Sequence, residues 1–499
     1  MHDRERVYTQ ATPIVGHIDR QADAPLHVQL KALIRRSIEE GRLRPGDRLP
    51  TEHQLCRQFG LSRTPVRQAL SELTREGLLI RIPGRGTFVA EHPEHRGLRL
   101  RVVTEKGWGS YLERGLHLWN QEHPHLPLHL AVEEIPYPQL RERLTDMVAA
   151  GTAPDIALLD SVWVPEFAAR GYILPLEEIQ PGWEDKFAAD ILPMALAANR
   201  YHERLVALPA NVDVTVIWYW REWLEAEHLD PPRTWDDLIA IGQHFQKVHV
   251  RTRYGPDVYG FLFVGGRRGG ETTTYQLLPF LWAAGGDLIA GGHVVINSEA
   301  TVQFLTFLRD LIVRYRITPP AVTDYKWNQA ALLFAQGQAV MAVGGLYEIG
   351  FIRKARGWSD QDFLKHIGMV PLPKGPGGQH ATLGGMSYAI FRQSARPQVA
   401  LRFLEYTARP EMIRHFWRLT QRHVPWRHIS PTAEDTPFLA ASAPLLGYGR
   451  PRPAIPEYTR ISEQFRWLVE ETLRGHGDPA TLAARAADRI AAITCLPVI

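Results

Sequence analysis

The sequence is poor in cysteine and has no long apolar run. Cys56 and Cys495 are the only cysteines among 499 residues, too few for a disulfide framework or a zinc cluster and typical of a reducing compartment. No apolar stretch reaches the length that a membrane span requires. The mixed-charge segment from Met1 to Arg20 lacks the apolar core of a secretion signal. These absences predict a cytoplasmic protein that makes no contact with a membrane.

Positive charge is concentrated in one part of the chain. The formal net charge is only +3, yet the stretch from Arg42 to Arg85 contains nine arginines against four acidic residues. The length favours two to four compact units. A local excess of basic residues therefore indicates a polyanionic partner for the N-terminal unit alone.

The N-terminal unit has the pattern of three helices followed by a β-hairpin. Apolar residues recur at helical spacing from Leu26 to Ile38. Thr51 is placed to cap a short second helix, and Gly60 to end it, before a tight turn leads into a third helix. Two short helices joined in this way predict a helix-turn-helix. Two β-prone stretches around a Pro-Gly-Arg-Gly tip at 83–86 predict a hairpin, or wing, with a cationic end.

The third helix opens with polar and basic side chains. Arg63, Thr64 and Arg67 stand at its start, where a recognition helix meets base edges and phosphates. An arginine can bind the O6 and N7 atoms of guanine with two hydrogen bonds. This helix is therefore the predicted reader of DNA sequence.

The segment LPTEHQLCRQFGLSRTPVRQALSELTREGLLIRIPGRGTFVA resembles the DNA-binding domain of GntR-type regulators, and we assign residues 21–90 to this domain. The resemblance implies that the second helix starts beside the DNA, that the third helix touches the operator and that the wing tip enters the minor groove. The residues so implied are Thr51, Glu52, Arg63, Thr64, Arg67, Gln68, Gly84, Arg85 and Gly86. It also implies a homodimer on an inverted repeat.

Beyond a short polar linker at 91–97, predicted strands alternate with predicted helices. The strands are expected at 98–104, 128–135 and 155–159, and the helices at 107–122 and 138–150. This alternation predicts an α/β fold with a parallel sheet. Such sheets bind ligands in loops beyond the carboxyl ends of their strands.

Four segments of this unit are similar, in their order, to sugar-type (family 1) extracellular solute-binding proteins. They are APDIALLDSVWVPEFAARGYILPLEE, LPANVDVTVIWYWREWLEAEHLDPPRTWDDL, FAQGQAVMAVGGLYEIG and LGGMSYAIF. The resemblance covers about residues 98–495 and implies a type II periplasmic-binding-protein-like fold, in which two α/β lobes close on a ligand. Because a DNA-binding domain stands where exported members carry a signal peptide, we expect a carbohydrate sensor and not a transport protein.

Sugar pockets need flat aromatic rings for stacking and charged or amide groups for paired hydrogen bonds. The family places Trp163, Asp213 and Tyr347 at the cleft, and the segment Gly385-Met386-Ser387-Tyr388 borders it. A helix start near Glu271 could also serve a ligand oxygen. For Trp282, core packing and ligand contact stay equally open. The expected ligand contacts are Asp160, Ser161, Trp163, Asn211, Asp213, Glu271, Trp282, Gly345, Tyr347, Ser387, Tyr388, Trp426 and Arg427.

An enzymatic alternative is a GntR-type regulator fused to an aminotransferase-like domain that binds pyridoxal phosphate. That activity needs a Schiff-base lysine in a phosphate site rich in serine and threonine, and none of the eight lysines has such a setting. We therefore predict a ligand-responsive transcription regulator that is not an enzyme and has no catalytic residue, metal or cofactor. Its predicted partners are a double-stranded DNA operator, a mono- or oligosaccharide effector and a second copy of the chain.

Overall fold

A computed structural model of the chain describes residues 14–20, 24–76, 78–82, 85–90, 98–434 and 436–499. The predicted linker at 91–97 and the wing residue Gly84 lie outside these ranges. No helix within the described ranges combines the length and the apolar character that a bilayer span needs.

The described N-terminal residues form three helices and a β-hairpin. They are α1 (Leu26–Glu39), α2 (Glu52–Phe59), α3 (Arg63–Arg75), β1 (Leu79–Ile82) and β2 (Gly86–Val89). The Thr51 hydroxyl accepts a hydrogen bond from the Gln54 backbone N–H, and the Gln54 side chain accepts one from the Thr51 backbone N–H. This capping box starts α2, and Gly60 ends it in the left-handed region with φ of 63°. The helix-turn-helix and the hairpin are confirmed.

The three helices turn their apolar faces to one core. Leu30 and Ile34 of α1 pack with Val66 of α3, and all three are buried. Ile14 and Ile18 belong to the same core and are 1% and 6% exposed. The described core therefore begins before residue 21, where the sequence pattern placed its start.

A third extended segment supports the wing. The backbone N–H of Val89 donates to the carbonyl of Asp47 at 2.9 Å, and that of Leu49 donates to the carbonyl of Thr87 at 2.9 Å. These bonds attach the turn before α2 to strand β2. They fix the base of the hairpin, because an isolated two-stranded hairpin is only marginally stable.

From residue 98 the chain alternates strands and helices. The first elements are β3 (Leu98–Glu105), α4 (Gly109–Glu122), β4 (Leu128–Ile135), α5 (Tyr137–Ala149), β5 (Ile156–Asp160), α6 (Val164–Ala169), α7 (Leu176–Ile179), α8 (Trp183–Phe187), α9 (Pro193–Ala197), β6 (Arg200–Tyr201), β7 (Arg204–Leu205) and β8 (Leu208–Pro209). The three strands and two helices expected between 98 and 159 are confirmed, with ends that shift by one or two residues.

The middle of the chain builds a second lobe, and the remainder returns to the first before ending in the second. The middle elements are β9 (Asp213–Trp220), α10 (Arg221–Ala226), α11 (Trp235–His244), α12 (Val248–Tyr254), β10 (Tyr259–Leu262), α13 (Glu271–Ala284), β11 (Ile289–Ala290), β12 (His293–Val294), α14 (Glu299–Val313), α15 (Gln329–Ala335), β13 (Ala339–Gly345), α16 (Ile349–Arg356), α17 (Asp360–His366), β14 (Ile367–Val370) and β15 (Ala381–Gly384). The last are β16 (Met386–Ile390), α18 (Pro397–Glu405), α19 (Pro410–Thr420), α20 (Pro437–Ser442), β17 (Gly449–Arg450), α21 (Tyr458–Leu473) and α22 (Pro479–Thr494).

Each lobe is organised around one mixed sheet. The first sheet has the strand order β4-β3-β5-β16-β8, and the second has the order β10-β13-β9-β15-β17, with β14 also paired to β9. The expectation of a parallel sheet is only partly right. Strands β10 and β13 are parallel, but β9 is antiparallel to β13, β14 and β15, and β16 is antiparallel to β5.

The antiparallel pairs arise where the chain crosses between the lobes. Strand β8 belongs to the first sheet and β9 to the second, whereas β15 belongs to the second and β16 to the first. The two crossings run in opposite directions, so β9 and β15 meet antiparallel with Gly384 opposite Asp213. The Asn211 side-chain oxygen accepts the Met386 backbone N–H at 2.9 Å and ties the crossings together. A further segment, 421–436, returns from α19 to α20 and bridges to Val212 at His423.

Candidate DNA-contacting surface and ligand cavity

The predicted DNA-reading residues share one exposed face of α3. Arg63, Thr64, Arg67 and Gln68 are exposed, whereas Val66 between them is fully buried. The spacing follows from helix geometry, since residues three and four apart share a face. The structure therefore presents the polar start of α3 outward while its apolar side holds the helix in the core.

Glu52 connects the second helix, the third helix and the wing. Its carboxylate accepts a hydrogen bond from Arg67 Nε at 2.8 Å and also pairs with Arg81 of β1. The hydrogen bond from Arg67 holds the pKa of Glu52 below its usual value. The bond uses only Nε of Arg67, whose side chain is 65% exposed. Glu52 is thus placed to orient two arginines, a role that differs from the direct DNA contact expected of it.

The described wing residues add further cations. Arg85 is exposed, and Gly86 has φ of 123°, a conformation that favours glycine. A Cβ at Gly86 would lie 3.1 Å from Nε of Arg48, so a second arginine lies beside the wing. Thr51 is exposed at the start of α2. The sequence analysis did not name Arg48 or Arg81, which become neighbours of the reading face only when the hairpin pairs.

A cavity of about 690 Å³ lies where the two lobes meet, within the size range of small-molecule sites. Strand ends and crossings supply its walls. The lining residues are Glu105, Tyr137, Asp160, Asn211, Asp213, Glu271, Thr272, Tyr275, Trp327, Tyr347, Phe351, Gly384, Gly385, Met386, Arg422 and Arg452. Five of the predicted ligand contacts are brought together here, namely Asp160, Asn211, Asp213, Glu271 and Tyr347.

Arg452 organises one side of this cavity. It is only 7% exposed, and its guanidinium lies 2.8 Å from the Glu271 carboxylate and 3.6 Å from that of Asp160. Tyr137 donates its hydroxyl to Asp160 at 2.6 Å, and Tyr458 donates to Glu271 at 2.6 Å. Burial raises the pKa of Asp160, and Arg452 opposes this shift. The two carboxylates are held by partners within the protein.

Asp213 occupies the other side and is less fully satisfied. It starts β9 and is 5% exposed. Its Oδ2 accepts the Tyr347 backbone N–H at 3.3 Å, whereas its Oδ1 has no hydrogen-bond partner among the described residues. Burial raises the pKa of Asp213 to about 7. Behind it, burial raises the pKa of Glu348 to about 8, and Glu348 accepts the indole N–H of Trp218 at 3.2 Å.

Aromatic rings supply much of the remaining wall. Tyr275 and Tyr347 have ring centroids 6.1 Å apart, and Trp327 and Phe351 meet edge to face at 5.3 Å. Gly384 lets Tyr275 approach, because a Cβ there would lie 2.9 Å from that ring. Rings beside carboxylates form the combination that a polyhydroxylated ligand requires.

Trp163 lines a wider cleft instead of the inner cavity. This outer cleft measures about 1320 Å³ and shares Tyr137, Glu271, Thr272 and Trp327 with the inner cavity. The Trp163 ring stacks on Tyr137 at 5.4 Å. The predicted residue is therefore adjacent to the cavity, with Tyr137 between them.

The other predicted contacts lie elsewhere, namely Ser161, Trp282, Gly345, Ser387, Tyr388, Trp426 and Arg427, because packing and backbone pairing occupy them. Tyr388 is fully buried and meets Trp108 edge to face at 6.3 Å. Ser387 lies in β16, is 1% exposed and pairs with Leu159. The indole N–H of Trp282 donates to Asp287 at 3.0 Å, which favours the core alternative for this residue.

The remaining four have backbone or spacing roles. Ser161 donates its backbone N–H to the Gly385 carbonyl at 3.0 Å, and Arg427 donates its own to Asp190 at 2.8 Å. Trp426 bridges to Ile191 and is 5% exposed. Gly345 leaves room for Tyr347, since a Cβ would lie 2.4 Å from that ring.

The cavity also contains residues that sequence reasoning missed, namely Glu105, Tyr137, Thr272, Tyr275, Trp327, Phe351, Gly384, Arg422 and Arg452. Arg422 directly precedes the bridge residue His423, and Arg452 follows β17 in a proline-rich stretch. No motif marks either arginine. A signal existed for Thr272 and Tyr275, because they continue the helix start at which Glu271 was chosen.

These features define a two-lobed solute-binding fold joined to a winged helix-turn-helix. Residues 103–413 match the family model described as bacterial extracellular solute-binding protein, and the chain belongs to this family. Residues 26–89 match the model described as bacterial regulatory proteins, gntR family, and form a GntR-family helix-turn-helix domain. Both predicted resemblances and the predicted fold class are confirmed, and the aminotransferase-like alternative is not favoured. Neither family is one of enzymes.

Similar proteins divide between the same two parts. A binding protein of Brucella abortus (strain 2308) is 23% identical over 391 residues, which are 77% of this chain and 90% of that protein. The histidine utilization repressor of Klebsiella aerogenes is 51% identical over 72 residues, 14% of this chain and 30% of the repressor. Maltose-bound MalE3 of T. maritima superposes with a TM-score of 0.68 and 25% identity over 79% of this chain and 99% of MalE3.

Proposed function

We propose that this protein is a cytoplasmic transcription regulator whose affinity for operator DNA changes when a mono- or oligosaccharide binds the cavity. The observation that carries the proposal is the union, in one chain, of a GntR-family winged helix with a solute-binding fold that contains an aromatic and acidic cavity. A DNA-binding domain gives a transport role no evident use for the cavity, whereas sensing uses both parts.

Three features of the cavity support a carbohydrate effector. Rings such as Tyr347 can stack on the apolar faces of sugars. The free Oδ1 of Asp213 can accept a hydroxyl, and Asn211 lies beside it in the lining. MalE3, which shares the fold, is a maltose-bound protein. We therefore propose that Asp160, Asn211, Asp213, Glu271 and Tyr347 form the ligand site.

For DNA, we propose that the exposed start of α3 reads the major groove as one half of a homodimer. Two copies would then meet half-sites about one helical turn apart. Arg67 reads bases with its terminal nitrogens while Glu52 holds its Nε. Thr51, Arg63, Thr64, Gln68, Arg85 and Gly86 make the supporting contacts, and Gly84 belongs to the same proposed wing tip.

Replacing Arg67 by alanine should weaken operator binding by roughly 1–3 kcal/mol, because a bidentate base contact is lost. A gel-shift titration at fixed salt measures the change. The matched control is Arg36→Ala, which removes an exposed arginine from α1 and should leave operator affinity within experimental scatter. Equal losses for the two variants would assign Arg67 to nonspecific charge alone.

Sugar and operator should each change the affinity of the protein for the other by about 5–150-fold. This range corresponds to a coupling of 1–3 kcal/mol, and linkage requires the same factor in both directions. Hinge closure of two lobes around a ligand is a two-state motion that can supply the coupling. A thermal-shift screen of neutral and aminated saccharides first finds a ligand, and calorimetry with and without operator then measures the factor. If every sugar found leaves operator affinity unchanged, the proposed function is wrong.

A further inference from the structure

We propose that the natural effector carries a protonated amine, so that the cavity takes an aminated saccharide in preference to a neutral one. This inference rests on the proposed function and narrows the chemical class of its ligand. Its basis is the charge and the hydrogen-bonding state of the cavity walls.

The cavity has more carboxylates than cations. Its lining holds four acidic residues and two arginines. Arg452 is committed to Asp160 and Glu271, which also receive hydroxyl donors from Tyr137 and Tyr458. That half of the cavity is already paired without any ligand.

The unpaired negative charge lies at Asp213 and Glu105. Arg422 lines the same wall, but within the described residues neither carboxylate forms an ion pair with it inside 4.0 Å. Oδ1 of Asp213 belongs to a side chain that is 5% exposed and has no partner in the part of the chain described. Burying a carboxylate without a counterion is costly, so a ligand cation here would remove a cost that a neutral hydroxyl leaves.

The rings on this side suit the same ligand. An ammonium group is attracted to aromatic faces as well as to carboxylates. Arg452 already lies 5.5 Å from the centroid of Tyr275, whereas Tyr347 lines the cavity next to Asp213, to which its backbone N–H donates. A protonated amine between Asp213 and Tyr347 would contact one carboxylate and one ring.

The test compares sugars that differ at a single substituent. The full-length protein is titrated by calorimetry with glucosamine, N-acetylglucosamine and glucose, with the corresponding galactose and mannose series, and with the β-1,4-linked disaccharides of the glucose series. We expect at least one aminated sugar to bind about tenfold or more tightly than both of its neutral counterparts, since hydrogen bonds to charged groups are the stronger ones. The proposal is overturned if neutral members bind equally well in every series, or if no aminated member binds.

A variant then locates the preference. Asp213→Asn keeps an oxygen for the Tyr347 N–H but removes the charge, and it should reduce the preference for the amine by about tenfold. Asp488→Asn, on the exposed surface of α22, is the matched control and should leave the preference unchanged. A preference that persists in Asp213→Asn, shown to be folded by its melting temperature, would also overturn the proposal. Tight binding of a neutral sugar that alters operator affinity would refute the amine while leaving the proposed function intact.

Discussion

Replacing Arg452 by methionine should lower the free energy of unfolding of the solute-binding part by about 3–5 kcal/mol, the usual cost of leaving a buried charge unpaired. The guanidinium is the cation shared by Asp160 and Glu271, and its side chain is 3% exposed. Methionine fills similar space but cannot pair with either carboxylate. Denaturant unfolding followed by tryptophan fluorescence measures the change.

A matched variant separates this effect from loss of an ordinary surface pair. Arg450, two residues earlier, pairs with Asp287 through a side chain that is 41% exposed. Arg450→Met should therefore cost no more than about 1 kcal/mol. The loss in Arg452→Met should also be smaller at pH 5 than at pH 8, because protonation neutralises the abandoned carboxylates. A loss independent of pH and equal to that of Arg450→Met would contradict the role given to Arg452.

Gly385→Ala should destabilise the same part by about 3 kcal/mol and abolish saccharide binding. Gly385 has φ of 150°, and a Cβ there would lie 2.3 Å from the Asn211 carbonyl oxygen. Backbone strain and overpacking each cost about 1–3 kcal/mol. Relief of the clash must separate the two crossings, which moves Asn211 and Asp213 away from the opposite wall. Thermal unfolding and sugar calorimetry measure the two effects.

Gly350 offers the control for this substitution. It lies in α16, and a Cβ there would meet nothing within 4 Å. Gly350→Ala should be neutral or slightly stabilising, because alanine is the better helix former. If both alanine variants retain wild-type stability and binding, the crossing at Gly385 is not the constraint that its geometry indicates.

Local patterns in the sequence predicted the elements well because those patterns are set by near neighbours. Thr51 and Gly60 mark the ends of α2 through capping and a left-handed turn, and both signals lie within a few residues. Strand direction was harder to predict. The alternation of strands and helices favoured parallel pairing, but β9 and β15 are antiparallel because the chain crosses between lobes in both directions, and no local pattern encodes a crossing.

The cavity shows the same division. Asp213 and Tyr347 were found because each follows a recognisable segment of the solute-binding family. Arg452 and Glu105 were missed because they reach the cavity from distant parts of the chain. The abundance of tryptophan was a poor guide: Trp218 and Trp282 are buried, and each donates its indole N–H to an acidic side chain of the protein.

The order in which the two cores lie along the chain has a consequence for synthesis on the ribosome. The winged-helix core uses residues from Ile14 to Val89 only, whereas the cavity needs every segment from Glu105 to Arg452. Domains fold as units while translation proceeds at about 5–20 residues per second. The DNA-binding surface is therefore complete roughly 20 to 70 s before the last wall of the cavity is translated. Each newly made molecule can bind DNA before it is able to respond to a ligand.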